Sequence, residues 1–381
     1  MERCSVKSLK DEVEMKKVLT IIGARPQFVK AAVLSRALRE GYATAEPGIC
    51  EVVVHTGQHT DAEMSGQFFA DLAMRAPQHQ LVLTSSHPLA RAGEMLMGLA
   101  EIVGEERPDA VLVYGDTDST LAGAWAAARL GLPLIHIEAG LRSGDRGMPE
   151  EVNRIGTDHW ATHLCCPSSH AVNQLRAEGI RDGEQGKHVA VVGDLQCAAA
   201  LAAVADVAHR GGHGPAVLTM HRPANVDDAE GLKRWLDAIA EGLGARSLSC
   251  VFPVHPRTRA VCERLWGDAW KAELTDRGIQ VVPPTGHQQM MEWVVNAPVV
   301  LTDSGGLQKE AFVLGTKCLV LRPVTEWDEL VSLGGARCVA RPEALMAGWS
   351  ELEAMEMREE DVYQARGAGE RLAKQIAEWL F

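Results

Sequence analysis

Short apolar runs recur along the chain, with stretches of helical length between them. They predict strands near 18–22, 52–55, 110–114, 134–138 and 189–192, then a second series near 216–219, 251–254, 279–282, 299–302 and 318–321. Most runs are continuously apolar rather than alternating, the pattern of a strand buried on both faces of a parallel sheet. Helical segments such as 121–129 (LAGAWAAAR) and 230–245 separate them. Alternating β and α predicts an α/β fold with right-handed crossovers. The alternation breaks near 195–215, where an alanine-rich helix gives way to HRGGHGP before a new strand. The simplest organisation is two Rossmann-like domains whose parallel sheets face a cleft. Its parts are a tail over 1–16, a first domain over 17–200, a second over 201–360 and a final helix over 361–381. Leu372, Ile376 and Leu380 give that helix an apolar stripe with which to pack back on the first domain.

Composition narrows the function. A chain of 381 residues suits about two domains. The formal net charge of −13 argues against nucleic acid or an anionic membrane as partner. A phosphorylated ligand stays open, because it needs only local positive groups. No apolar run is long enough to cross a bilayer, and MERCSVKSLKDEVEMKK lacks the apolar core of a signal peptide. The nine cysteines are scattered, odd in number and without a CxxC pair, which predicts reduced thiols in the cytoplasm and no metal site. G-x-G-x-x-G and P-loop motifs are absent, so a nicotinamide cofactor or NTPase chemistry has no support, and no cofactor is expected.

The polar residues collect in one kind of place, just after a strand. They are 23-GARPQFVK-30, 55-HTGQH-59, 115-GDTDST-120, 138-EAGLRS-143, 221-HRPAN-225, 255-HPRTR-259, 303-DSGG-306, and Arg322 with 325-TEW-327. Ligands of open α/β sheets bind outside the carboxyl ends of the strands. Clusters from both halves therefore predict one ligand held across the cleft. In 302-TDSGGLQKEA-311, a Gly-Gly turn at Gly305 and Gly306 lets backbone approach a ligand, and the next helix offers free N–H groups to a diphosphate. Ser304 adds a hydroxyl donor or caps that helix; Glu310 suits sugar hydroxyls such as a ribose diol. Arg25 and Lys30 follow the first strand, where Arg25 suits a phosphate or simply a helix surface. Asp116, Glu138 and Glu150 are the acid/base candidates. Asp116 and Glu138 end apolar strands, so desolvation should raise both pKa values. Glu150 also reads as a first-turn acid paired with Arg154. His221 and His255 end strands of the second half and suit a phosphate or leaving group.

At these residues the sequence resembles the non-hydrolysing UDP-N-acetylglucosamine 2-epimerase family. The matching segments are GARPQFVKAA, TGQH, YGDTDSTLAG, HIEAGLRS, MPEEVNR, VGD, HR, HPRTR, TDSGGLQKEA and TEW, in family order over about 310 residues. The resemblance implies a glycosyltransferase-B-like fold and a reaction without metal or nicotinamide. It implies that a base takes the C2 proton of a UDP-N-acetyl-hexosamine while UDP leaves C1. The enzyme-bound 2-acetamidoglucal then takes UDP back, with a proton delivered to the other face. It further implies catalytic positions at Asp116, Glu138, Glu150 and His221, without assigning the base in each direction. Arg25, Lys30, His255, Ser304, Gly305, Gly306, Glu310 and Arg322 would bind UDP or substrate. Gln58, His59 and Arg222, with His255 nearby, lie near positions for a second, activating UDP-sugar. A cytoplasmic homodimer supplying ManNAc-type sugars for surface polysaccharide is the implied setting. Two departures stand out: Ala224 replaces a glutamate in HRPAN, and 322-RPV-324 lacks an acidic residue. The GARPQF and TEW wording also occurs in relatives acting on UDP-2,3-diacetamido-glucuronate, which makes that substrate the first alternative. A glycosyltransferase of the same fold is the second.

Overall fold

The computed structural model describes residues 15–45, 47–59, 69, 72, 74–207, 212–358 and 360–381. Of the tail expected over 1–16, residues 1–14 lie outside the described residues, and the first strand already begins at Met15. Seven strands form the first sheet: β1 Met15–Ile22, β2 Gly48–His55, β3 His79–Gln80, β4 Ala110–Tyr114, β5 Leu134–Ile137, β6 His163–Cys166 and β7 His188–Val191. Six form the second: β8 Ala216–Thr219, β9 Cys250–Pro253, β10 Ile279–Val282, β11 Val300–Thr302, β12 Cys318–Val320 and β13 Ala336–Cys338. The orders are β3-β2-β1-β4-β5-β6-β7 and β10-β9-β8-β11-β12-β13. The neighbours pair in parallel, as in β1 with β4 and β8 with β11. The two α/β domains are thus parallel sheets wound from a central strand. β3, β6 and β13 were not expected from the sequence. They are two to four residues long, and His-Leu-Cys-Cys in β6 carries little β-branched signal.

Both sheets reverse winding direction at their centre, between β1 and β4 and between β8 and β11. A crevice opens at such a switch point, outside the carboxyl ends of the strands. The segments just past β1, β4, β8 and β11 are those that carry Arg25, Asp116, His221 and Ser304.

One apolar cluster runs through both domains. It joins Val111 and Val113 of the first sheet to Val300 and Val320 of the second, with Cys197, Phe312 and Tyr363 between them. The chain crosses between domains twice, and the crossings touch. Asp194 donates its N–H to the Tyr363 carbonyl at 2.8 Å. Gly193 beside it has φ +89, and a Cβ there would stand 2.5 Å from the Gln364 carbonyl oxygen. Only glycine meets both demands. The final helix is shorter than the 361–381 expected. It spans Ala368–Leu380 because Gly367, at φ 69, holds the chain out of helical conformation. Leu372 and Ile376 are buried in the cluster that includes Phe28 and Leu34 of helix Arg25–Tyr42. Among the described residues no helix is long and apolar enough to cross a membrane, and no group of three or more His, Cys, Asp or Glu is arranged to hold a metal.

Candidate active site

On the first-domain side the loops after β1 and β4 are stitched together by Gln27. Its side-chain oxygen accepts from the Gly23 and Ala24 N–H groups at 2.8 and 3.0 Å, while its amide donates to the Tyr114 carbonyl at 2.8 Å. Thr117 then caps helix Asp118–Leu130. This leaves Asp116 on a short, held turn. Its carboxylate pairs with the buried Arg154, and its carbonyl accepts from Asn153 at 3.0 Å. Burial pushes the Asp116 carboxyl above its ordinary value; the Arg154 guanidinium opposes that push and the Glu138 charge adds to it.

Glu138 follows β5 in the left-handed region, at φ 71, an unusual conformation for a residue with a side chain. Its N–H donates to the Cys165 carbonyl at 3.0 Å. One carboxylate oxygen pairs with Lys30, and the other lies 2.5 Å from the Lys309 ammonium of the second domain. The sequence predicted a raised pKa here, and that expectation is corrected. Burial does work to raise it, but Lys30 and Lys309 outweigh burial and hold the carboxyl well below the usual range. Adjacent strand-end carboxylates are therefore driven apart, one toward the protonated form and one firmly ionised.

Behind them, His136 bridges the Gly115 carbonyl and Asp158 at 2.7 Å each. Asp158 also takes Arg142 at 2.7 Å. All of this is buried, and it ties the Asp116 loop to the Glu138 loop. The expected Glu150–Arg154 pair is absent. Arg154 instead bonds Asp116 and Glu151, and Glu151 also accepts from the Ser143 and Gly144 N–H groups. Glu150 is exposed and is not joined to the Asp116–Glu138 group.

On the second-domain side backbone does most of the holding. Asp303 at the end of β11 is fully buried and accepts from the His221 and Arg222 N–H groups and from Asn225, at 2.9 to 3.1 Å. The same carboxylate stands 3.2 Å from His221 Nδ1, which leaves Nε2 turned away from it. Burial lowers the His221 pKa, and His255 and Arg222 add to the lowering against Asp303. His255 caps helix Pro256–Trp266 and lies 5.5 Å from His221, ring to ring. Arg222 spends its Nε on the Asp303 carbonyl at 2.9 Å.

Gly305 and Gly306 are not a turn, as the sequence had suggested. They open helix Gly305–Val313, with Ser304 as N-cap. The Ser304 hydroxyl caps nothing. A Cβ at Gly305 would stand 2.4 Å from Glu326 Oε1, and one at Gly306 2.3 Å from Gln196 Nε2, so a larger residue at either would push a side-chain end aside. Glu326 also pairs with Arg322 at 2.8 Å. Glu310 is buried and faces His287 at 2.9 Å.

The two sides meet. Arg25 Nη2 reaches the Thr285 carbonyl of the second domain at 2.7 Å, and Arg154 feels the charge of Glu326. Gln58 accepts from the Ser119 N–H at 3.0 Å, and the His59 N–H donates to the Gly23 carbonyl at 3.0 Å, so both stand beside the loops that follow β1 and β4. Lys30 is engaged by Glu138. Sequence reasoning did not single out Asp303, Lys309, Asp194, Gln27 or His287. Asp303 had a readable signal, a carboxylate ending a strand just before a helix cap. Lys309 had none, since its partner Glu138 is 171 positions away.

Comparison with known proteins gives the family. Residues 43–377 match the family model described as UDP-N-acetylglucosamine 2-epimerase. The chain belongs to that family. It is an epimerase, an isomerase acting on UDP-sugars. Among relatives, the UDP-2,3-diacetamido-2,3-dideoxy-D-glucuronate 2-epimerase of Pseudomonas aeruginosa is 42% identical over 84% of this chain and 86% of its own. The UDP-N-acetylglucosamine 2-epimerase of Methanocaldococcus jannaschii is 34% identical over 84% of this chain and 87% of its own. A crystal structure of UDP-GlcNAc 2-epimerase from the same organism, in complex with UDP-GlcNAc and UDP, superposes with a TM-score of 0.82 at 31% identity. It covers 96% of this chain and 99% of the other. The two-domain, glycosyltransferase-B-like fold is thus shared.

Proposed function

We propose that this epimerase inverts C2 of a UDP-2-acetamido sugar, interconverting UDP-GlcNAc and UDP-ManNAc by elimination and re-addition of UDP. The observation that carries the reading is the pair of adjacent carboxylates pushed apart. Burial raises the Asp116 pKa above its ordinary value, which suits a group that exchanges a proton, whereas Glu138 stays ionised. A carboxylate takes the C2 proton as the C1–O bond breaks. The C–H electron pair becomes the C1=C2 double bond and the diphosphate leaves with the C1–O pair. Re-addition with protonation from the other face gives the epimer. The C2 hydrogen has no carbonyl to activate it, so leaving-group stabilisation is the larger demand. The open N-terminus of helix 305–313, the unused Ser304 hydroxyl, Arg25 and the Asp303-backed His221 suit the departing UDP. Glu310 suits the ribose. Glu150, exposed at the start of its helix, is assigned a role only through its motif. Gln58, His59 and Arg222 suit a second UDP-sugar at the rim.

A second substrate has equal support. The 42% identical relative named above acts, by its name, on UDP-2,3-diacetamido-2,3-dideoxy-D-glucuronate. We carry a cytoplasmic homodimer as part of this reading. The test is incubation of each UDP-sugar in deuterated water, followed at C2 by NMR. Deuterium entry with formation of the epimer identifies the substrate. Free sugar and UDP in place of the epimer, or no exchange with either compound, overturns the reading.

A further inference from the structure

The roles above leave Lys309 unexplained. It rides on helix 305–313 of the second domain and is fully buried. Its ammonium lies 2.5 Å from Glu138 Oε1 in the first domain and 2.5 Å from Asp194 Oδ2 at the domain crossing. The Trp327 ring sits 4.4 Å beneath it. A buried ammonium is costly unless it is paired and hydrogen-bonded. Here two lysines face two carboxylates: Lys30 and Lys309 against Glu138 and Asp194. Burial works against the Lys309 charge, but Asp194 and Glu138 outweigh it and keep the amine protonated.

Glu138 needs this support more than an ordinary surface carboxylate would. Its backbone is in the left-handed region, a conformation that persists only when its surroundings hold it. The charged groups facing it are Lys30 from helix 25–42, Lys309 from helix 305–313 and Asp116 from the loop after β4. Lys30 comes from its own domain. Lys309 comes from the other, and its second partner, Asp194, stands beside Gly193 where the chain crosses. Separating the domains would strip Lys309 from Glu138.

We propose that Lys309 is a positioning residue: it carries a charge across the domain boundary that holds the Glu138 carboxylate ionised and in one orientation, so Glu138 is competent only while the domains are docked. This rests on the reading that Glu138 works at the reacting carbon. It extends that reading to a fully buried residue of the other domain.

The test uses full-length protein carrying 13C at the glutamate carboxyls, with the Glu138 signal assigned by its loss in Glu138→Gln. In wild type the signal should stay in its ionised position well below its ordinary value of 4.5. Lys309→Met should move the titration up by about 1–3 pH units, the usual reach of one adjacent opposite charge, and Lys309→Arg should bring it back. In turnover, Lys309→Met should lower kcat at least about tenfold with little change in KM, again restored by arginine. An unchanged Glu138 titration in folded Lys309→Met overturns the proposal. If that variant does not fold, a wild-type Glu138 titrating at or above 4.5 overturns it alone. The titration needs no substrate, so failure of wild type to epimerise any UDP-sugar sinks the functional reading separately.

Discussion

The two faces of the cleft are built differently. The first-domain face is made of ionisable side chains: Asp116 on Arg154, Glu138 on Lys30, and Asp158 between His136 and Arg142. The second-domain face is made mostly of backbone: the opened helix after Ser304, and N–H groups converging on Asp303. Proton transfer needs titratable groups whose pKa values are set by neighbours, whereas holding a diphosphate needs fixed dipoles that do not titrate. On the proposed function, the contrast suits proton chemistry to the first domain and most of the hold on the leaving group to the second, with Arg25 the first-domain contribution. Lys309 is the exception, a second-domain charge spent on the first-domain face.

The largest effect should come from Asp116→Asn, with kcat falling about 10²–10⁴-fold while UDP affinity stays within a few-fold, measured by kinetics and calorimetry. The pH behaviour follows from its raised pKa. Activity that needs ionised Asp116 should fall as pH drops through that raised value. For stability the sign is opposite. The native state holds its proton more tightly than the unfolded chain, so Asp116 favours folding below its unfolded pKa, and that contribution is lost as pH rises through the folded one. The variant should therefore gain on wild type in denaturant midpoint as pH rises to 7. Weak UDP binding with normal turnover would collapse the distinction between the faces.

Next is Glu138→Gln. It leaves two buried ammoniums with one carboxylate, Asp194, between them, and should destabilise by about 3–5 kcal/mol. Because the folded pKa is depressed, this contribution is present above the unfolded value of 4.5 and fades as pH falls toward the folded one. Denaturant melts at pH 7 and pH 3 should show the gap between wild type and variant narrowing. A gap that widens in acid contradicts a paired, ionised Glu138.

These two carboxylates also mark how far sequence reasoning reaches. Both were legible as strand-end acids, because parallel strands read as unbroken apolar runs and whatever ends them faces the crevice. The raised pKa of Asp116 followed from desolvation alone. Glu138 did not follow, since its sign is decided by Lys30 and Lys309, 108 and 171 positions away, which only the folded chain brings near. Glu150 and Arg154 at i,i+4 promised a helix pair, but Arg154 found Asp116, 38 positions away. Strands β6 and β13 escaped because so few residues carry too little pattern.

On the other face, Gly305→Ala should act without adding or removing a charge. The new methyl would meet Glu326 at 2.4 Å, displacing it from Arg322. UDP affinity should fall about tenfold and stability by about 1–3 kcal/mol, the usual cost of overpacking. Unchanged affinity would mean that this helix end is not a ligand surface.

The smallest effect is the sharpest for the comparison. A serine at an N-cap ordinarily contributes about 1 kcal/mol through its hydroxyl. Ser304 makes no such bond; its N–H is occupied by the Thr302 hydroxyl at 2.9 Å, and its own hydroxyl is left over. Ser304→Ala should therefore change the denaturant midpoint by no more than about 0.5 kcal/mol, as for an ordinary surface substitution. If the hydroxyl is kept for the diphosphate, UDP affinity should nonetheless fall several-fold, the equivalent of about 1 kcal/mol for one hydrogen bond. Calorimetry with UDP and a denaturant melt on the same sample separate the two. Stability lost with affinity intact would make Ser304 a cap after all and return this stretch to helix architecture. Affinity lost with stability intact would show that the second-domain face keeps polar atoms out of its own fold so that a ligand can use them.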